Sequence, residues 1–149
     1  MKFIEYLKES IFFIVAIIIQ STIIDLIKIK DIKPDLVLLL LIHYGVKKPQ
    51  YYTTILGFFS GFIQDLIGGS FLGLFALAKT VSGFFINYFQ RIGKFKEVHS
   101  YILVLILTCI LHDIVFYFIY TFDTGLDFLD MILRYSIPKS IYTSGVGII

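Results

Sequence analysis

Two charged residues inside an apolar run place the strongest limit on how this chain can fold. Residues 61–85, GFIQDLIGGSFLGLFALAKTVSGFF, contain Asp65 and Lys79 among mostly apolar side chains. An unpaired charge in the hydrocarbon core of a bilayer costs roughly 3 kcal/mol or more, so such residues face the interior of a helical bundle and pair there. If the run crosses a bilayer, it therefore predicts a helical bundle in which these charges are paired.

The composition indicates that lipid is the solvent for much of the surface. The 149 residues are 58% hydrophobic and 16% charged, whereas a soluble domain uses about 25% charged residues. No stretch between the apolar runs is long enough for a soluble catalytic domain, and a net charge of +2 gives no reason to expect nucleic acid. The single cysteine, Cys109, lies within an apolar run and predicts a packed thiol. We therefore expect one transmembrane domain over residues 1–149.

Six apolar segments predict an all-α integral membrane protein with about six transmembrane helices. The second segment covers only about 20 Å, less than the ~30 Å hydrocarbon core, so it is either a short span or a re-entrant helix. The last segment is still apolar at Ile149, from which we expect a C-terminal tail to follow. The segments are 11–27, 34–46, 52–67, 71–89, 101–120 and the stretch from 128 onward.

The basic residues predict an orientation with the N-terminus in the cytoplasm. Lysine and arginine concentrate on the cytoplasmic side of membrane proteins. If the second segment crosses, seven basic residues lie on one side and three on the other. The seven are Lys2, Lys8, Lys47, Lys48, Arg91, Lys94 and Lys96, and the three are Lys28, Lys30 and Lys33.

Four charges within the predicted helices fall in the outer half of the bundle: Asp65, Lys79, Asp113 and Lys139. At 1.5 Å per residue, Lys79 and Asp113 lie at nearly the same depth, about 10–12 Å below the outer surface. We therefore expect Lys79 to pair with Asp113 first and with Asp65 second. Asp65 also lies where the N-terminal dipole of the fourth helix favours a carboxylate. The cluster either locks the helices together or lines a ligand or ion site.

Small residues predict close helix packing. Thr53, Gly57, Gly61 and Asp65 recur every four residues, and this face contains a small-xxx-small motif. The fourth helix presents a similar stripe that includes Gly83. These faces pack against each other within the chain or, alternatively, against a partner protein's helix.

Catalysis has no candidate residues in this sequence. The three histidines have no metal-ligand spacing, and no phosphate-binding loop or nucleophile motif is present. His112 precedes Asp113, but adjacent helix residues point in different directions, so we expect no contact between them. The sequence predicts neither an enzyme nor a cofactor.

The order of these features resembles the bacterial rod shape-determining protein MreD. The features are the Pro-Asp opening of KPDLVLLLLIHYGVKKP, a run with glycine or aspartate at every fourth position, an acidic residue in LHDIVFYFIY and a proline in RYSIPKSIYTSGVGII. The residues that match the family pattern are Gly57, Gly61, Asp65, Gly69, Gly73, Asp113 and Pro138, the last as a helix kink. Lys79 departs from that pattern.

The resemblance implies a small inner-membrane protein of the elongasome, the machinery of lateral cell-wall growth. It implies MreC as partner, action with MreB, RodA and a class B penicillin-binding protein, and helices like those of the substrate-binding subunit of ECF-type vitamin transporters. The leading hypothesis is a non-enzymatic scaffold for peptidoglycan synthesis. The alternative is a substrate-binding subunit of a small-molecule transporter. A pocket of several hundred Å³ with convergent polar groups favours transport, and a closed, self-paired cluster favours the scaffold.

Overall fold

The computed structural model describes residues 2–23, 26–27, 29–68, 71–92 and 98–149. Within these ranges the regular structure is helical, apart from one isolated β-bridge between Ile29 and Ile32. A π-helical segment, Ile132–Ser136, joins the last two helices. The helices are α1 (Lys2–Thr22), α2 (Leu36–Gly45), α3 (Gln50–Gly68), α4 (Leu74–Ile92), α5 (Val98–Thr124), α6 (Phe128–Met131) and α7 (Ile137–Ile148).

On α3 and α4 the charges in the middle of the apolar run lie inside the bundle, whereas several large apolar side chains are exposed. On α3, Phe59 and Leu66 are 58% and 59% exposed, whereas Asp65 on the same helix is 1% exposed. Lys79 on α4 is 0% exposed. A surface so rich in large apolar side chains is unstable in water. The distribution therefore fits a helix bundle whose surroundings are lipid.

The helix α5 is the one described helix whose length and apolarity are sufficient by themselves for a membrane crossing. Its 27 residues span about 40 Å. The sequence predicts about six crossings, and the other helices differ from α5 for a physical reason. They carry polar residues on their inner faces or, like α2, are too short.

The helix α2 begins inside the bundle. Its 10 residues cover about 15 Å, and irregular backbone precedes it. Such backbone is tolerated at membrane depth only where protein satisfies its polar groups. The Gln20 side chain does so on both sides of the break, since it donates to the Pro34 carbonyl (3.0 Å) and accepts from the Leu36 N–H (2.8 Å). The Thr143 hydroxyl accepts from the Asp35 N–H (3.3 Å). The predicted second segment is thus a short helix with a polar start, and Pro34 precedes it.

Glycines bring the backbones of α3 and α4 together. A Cβ added at Gly57 would lie 2.4 Å from the Lys79 carbonyl oxygen, and one at Gly61 would lie 2.4 Å from that of Phe75. From the other side, a Cβ at Gly83 would lie 2.5 Å from the Thr53 carbonyl. These distances are too short for any real Cβ. The small faces of the two helices therefore pack against each other within the chain.

Gly69 and Gly73 continue the four-residue spacing of the family pattern and were expected on the same packing face. Gly69 lies outside the described residues. Gly73 was expected on the packing face, and this prediction is wrong, because α3 ends at Gly68 and Gly73 lies in the turn before α4. It has a φ of +99°, which favours glycine, and a Cβ there would meet nothing within 4 Å.

Pro138 lies in the first turn of α7, directly after the π-helical segment. In an α-helix its ring would crowd the carbonyl of Arg134, and its missing N–H would leave that carbonyl without a partner. A π-helical turn is wider than an α-helical turn and is a common way to absorb such a distortion. The irregularity that the proline predicts therefore lies in the turn before it.

A second polar cluster fixes α1 at the opposite end of the bundle. Glu9 is buried, pairs with Lys48 at 2.7 Å and accepts a hydrogen bond from the Tyr52 hydroxyl. The Lys48 ammonium also lies 5.1 Å from the centre of the Tyr6 ring. The hydrogen bond to Glu9 raises the pKa of Lys48 above its usual range. This cation therefore remains charged, and the cluster stays intact, at neutral pH.

Candidate functional site

The Lys79 ammonium is paired with Asp35, the residue that caps α2. The Lys79 Nζ lies 2.5 Å from Asp35 Oδ2, and the two side chains are 0% and 3% exposed. The other oxygen, Oδ1, accepts the N–H of Leu38 at 2.9 Å, so the carboxylate also provides the N-cap of α2. The Phe75 ring centre lies 5.2 Å from the ammonium. One buried acid thus links α4 to the start of α2.

Asp113 on α5 is paired with Lys139 on α7. The Lys139 Nζ lies 3.0 Å from Asp113 Oδ1, and the Ser140 hydroxyl donates to Oδ2 at 3.1 Å. His112 Nδ1 also lies 3.1 Å from Oδ1. Because the ionised carboxylate accepts only, this contact places the imidazole proton on Nδ1.

The two ion pairs lie on either side of His112 within the bundle. The His112 Nδ1 contacts Asp113, whereas its Nε2 lies 3.9 Å from Asp35 Oδ2, which is too far for a hydrogen bond, and has no hydrogen-bond partner among the described residues. Two acids and two bases balance, so the network is neutral when His112 is neutral. We call Asp35, Lys79, His112, Asp113 and Lys139 the charge network.

The predicted partner of Lys79 is wrong. Its hydrogen-bonded acid is Asp35, whereas Asp113 binds Lys139. The estimate of depth did bring Lys79 and Asp113 into the same region, but it did not consider Asp35, at the start of the second segment, as a partner. Because α2 starts inside the bundle, its N-cap reaches the level of Lys79.

Two members of the network were missed in the sequence. Asp35 stands directly before an apolar run, which is the pattern of an N-cap, and the shortness of that run indicated a start at depth. The expectation that His112 and Asp113 do not touch is also wrong. Both side chains turn inward and are buried, so they meet although their positions differ by about 100° around the helix.

Asp65 lies at the N-terminus of α4 and has a different role from the network. Its Oδ2 accepts the N–H groups of Gly73 and Ala76, and its Oδ1 accepts that of Phe75, each at 3.0 Å. The first N–H groups of a helix have no partner within it, and a carboxylate there also meets the positive end of the helix dipole. The expectation that Asp65 takes part in a cluster with Lys79 is therefore replaced by a capping role.

We expect Asp65→Ala to destabilise the protein by about 2 kcal/mol, the upper range for loss of an N-cap, because the carboxylate is buried and accepts three N–H groups. Thermal unfolding in detergent measures this loss. Asp65→Asn retains one acceptor oxygen and should lose less. Equal stability of Asp65→Ala and the unchanged protein would rule out the capping role.

A cavity of about 260 Å³ borders the charge network. Asp35 and Lys139 line it, together with four aromatic rings and the segment before α2. Most of the network is closed: the Lys79 and His112 side chains are 0% exposed, whereas that of Lys139 is 15% exposed. Lys139 is therefore the network cation within reach of a small molecule.

Metal binding finds no support in the described residues, where no three His, Cys, Asp or Glu side chains are grouped as metal ligands. Cys109 is a buried free thiol in the apolar core, which also includes Leu41, Ile42, Ile86 and Leu105. The arrangement holds helices together through ion pairs.

Comparison with known proteins gives one match. The family model described as rod shape-determining protein MreD matches residues 1–149, the whole chain. No curated protein and no solved structure matches. The ordered sequence features, the apolar exterior and the full-length match agree, and the chain belongs to the MreD family of rod shape-determining membrane proteins.

Proposed function

We propose that this protein is a non-enzymatic scaffold of the elongasome that supports lateral peptidoglycan synthesis through contact with an MreC-like partner. Membership of a family of structural, shape-determining proteins supports this proposal. The scaffold is a single transmembrane domain in the bacterial cytoplasmic membrane. Its N-terminus lies on the cytoplasmic side, and MreB, RodA and a class B penicillin-binding protein act in the same assembly.

The observation that carries the proposal is the self-paired charge network. Lys79 and Asp113 are buried and bind acids and bases of the same chain. A carrier leaves charged groups available for its substrate, whereas each of these four charges has a partner within the chain, and three of the four side chains are at most 3% exposed. Since removal of one partner from a buried pair costs about 3–5 kcal/mol, the network is suited to holding four segments of a bundle in one arrangement.

The scaffold predicts two results in cells. Depletion of the protein in its rod-shaped host should convert rods into spheres, because lateral wall growth loses its organiser. Affinity purification in mild detergent should recover an MreC-like protein with it. Cells that keep normal width and length after the protein has become undetectable would contradict the proposal.

A second candidate function, a substrate-binding subunit of a small-molecule transporter, is favoured by the cavity beside Lys139. Its helices would then resemble those of the ECF-type substrate-binding subunit. Affinity purification distinguishes the two functions. A transporter subunit should co-purify with an energy-coupling ATPase, whereas a scaffold should co-purify with wall-synthesis proteins. Normal cell shape after depletion, together with a lost uptake activity, would favour transport.

A further inference from the structure

The cavity beside the charge network has an aromatic wall. Phe75 and Phe116 lie with ring centres 4.9 Å apart, Phe116 and Tyr117 are 5.3 Å apart, and Tyr117 and Tyr135 are 6.5 Å apart. All four rings line the cavity. Aromatic faces of this kind enclose apolar or ring-shaped groups. The volume of about 260 Å³ suits a molecule the size of an amino acid or a single substituted ring.

The polar lining of the cavity consists of Gln20, Asp31, Lys33, Asp35 and Lys139, and the group that favours an anion is Lys139. Asp35 already uses one oxygen for the Leu38 N–H and the other for Lys79. Lys139 differs, because an ammonium has three N–H donors and the one at 3.0 Å is directed at Asp113. Its side chain is the most exposed in the network. The cavity therefore presents a cation with donors available next to a carboxylate that is already satisfied.

A tight turn forms one side of the cavity. The backbone N–H of Ile29 donates to the carbonyl of Ile32, and the N–H of Ile32 donates to the carbonyl of Ile29, each at 3.0 Å. The two residues between them, Lys30 and Asp31, have φ angles of 50° and 66°. A two-residue turn with both central φ positive usually contains Asn or Gly. This conformation is less favourable for lysine and aspartate than for glycine. Strained backbone of this kind is concentrated at ligand sites.

The same turn also lines a larger groove of about 840 Å³ on the outside of α7. The cavity and the groove share Ile32 and Tyr135. The groove is lined by Pro138 and Ile141 and flanked by Arg134. The cavity and the groove are therefore neighbours, with Ile32 and Tyr135 between them.

We propose that this cavity binds a small organic anion, with its carboxylate or phosphate against Lys139 and its apolar or aromatic body against Tyr117 and Tyr135. The ligand is either a water-soluble molecule or the headgroup of an anionic lipid that enters through the groove. The site lies beyond the scaffold function. Its occupancy would stabilise the arrangement of α5, α7 and the segment before α2.

Binding can be measured by the thermal unfolding of the purified full-length protein. Cys109 is the single cysteine and is buried, so a thiol-reactive dye reports unfolding without an added label. The first probe is phenyl phosphate. Benzyl alcohol is its neutral counterpart, and inorganic phosphate is the anion without an aromatic ring. The second is a pair of nanodiscs, one of phosphatidylglycerol and one of phosphatidylcholine.

The site variant is Tyr135→Leu, which removes a ring and a hydroxyl from the cavity and leaves the ion pairs intact. Tyr88→Leu, on the exposed face of α4, is the matched control. Lys139 is unsuitable, because its removal leaves Asp113 without its cation.

We expect phenyl phosphate to raise the unfolding midpoint saturably, benzyl alcohol to leave it unchanged, and Tyr135→Leu to weaken the apparent affinity about tenfold, which corresponds to about 1.4 kcal/mol. If only phosphatidylglycerol raises the midpoint, and Tyr135→Leu removes the difference, the anion is a lipid headgroup. The proposal fails if neither anion raises the midpoint, if the neutral probe acts equally, or if Tyr135→Leu binds as tightly as Tyr88→Leu. None of these outcomes depends on cell shape, so the failure of this site is distinct from the failure of the scaffold.

Discussion

Replacing Lys79 with methionine should lower the free energy of unfolding by about 3–5 kcal/mol, the largest loss we expect from any single charge. The substitution keeps an unbranched side chain, one atom shorter, and leaves Asp35 as a buried acid without its cation. At about 2–4 °C per kcal/mol for a protein of this size, the unfolding midpoint should fall by roughly 10 °C. The unfolding midpoint is measured by the reaction of Cys109 with a thiol-reactive dye during heating.

Two further variants distinguish the loss of the Lys79–Asp35 ion pair from a general effect of removing a lysine. Lys47 is exposed at the end of α2, and Lys47→Met should change stability by less than about 0.5 kcal/mol. Asp35→Asn keeps a capping oxygen for the Leu38 N–H, so the double variant Lys79→Met with Asp35→Asn should recover much of the loss. Equal losses for Lys79→Met and Lys47→Met would show that the pair does not hold the fold.

Gly57→Ala should destabilise the protein by about 1–3 kcal/mol, and Gly57→Leu should prevent the folded protein from accumulating in membranes. A Cβ at this position meets the Lys79 carbonyl oxygen at 2.4 Å, so α3 and α4 must separate. The separation also moves Lys79 relative to Asp35, which adds to the cost. Fluorescence-detected size-exclusion chromatography in mild detergent measures the folded yield.

Gly145 is the matched control for this substitution. It also lies within a helix, α7, but a Cβ there meets nothing within 4 Å. Gly145→Ala and Gly145→Leu should therefore give nearly normal yields. If Gly57→Leu accumulates as well as Gly145→Leu, the close contact between α3 and α4 is not required.

The sequence was sufficient to predict α3 and α4 and the presence of charged side chains inside the bundle. It was insufficient to predict which of these side chains pair. Apolar run lengths and small residues at four-residue spacing predicted α3, α4 and their contact, because these patterns depend on local geometry alone. The partner of Lys79 depended on the depth at which α2 starts, and that start is set by Gln20 and Thr143, which lie far from it in the sequence. Asp65 was expected both in the charge cluster and at the N-terminal dipole of the fourth helix, and its hydrogen bonds to the Gly73, Phe75 and Ala76 N–H groups agree with the second expectation.

The scaffold account also explains why the inner charges need not be exposed to any substrate. If they serve only to hold the bundle together, a variant that folds without the Lys79–Asp35 ion pair should perform the same task. If that pair acts on a transported molecule or a proton, a folded variant without it should fail. The two cases give opposite results for one variant.

The most direct test is therefore cell shape in a host depleted of its own copy and supplied with the double variant Lys79→Met with Asp35→Asn. Membrane level and unfolding midpoint are measured on the same protein, so that folding is established independently. We predict that the folded variant restores rods with normal width and recovers the MreC-like partner. Spherical cells that contain the variant at normal level, with a normal unfolding midpoint, would contradict the claim that the charge network is structural.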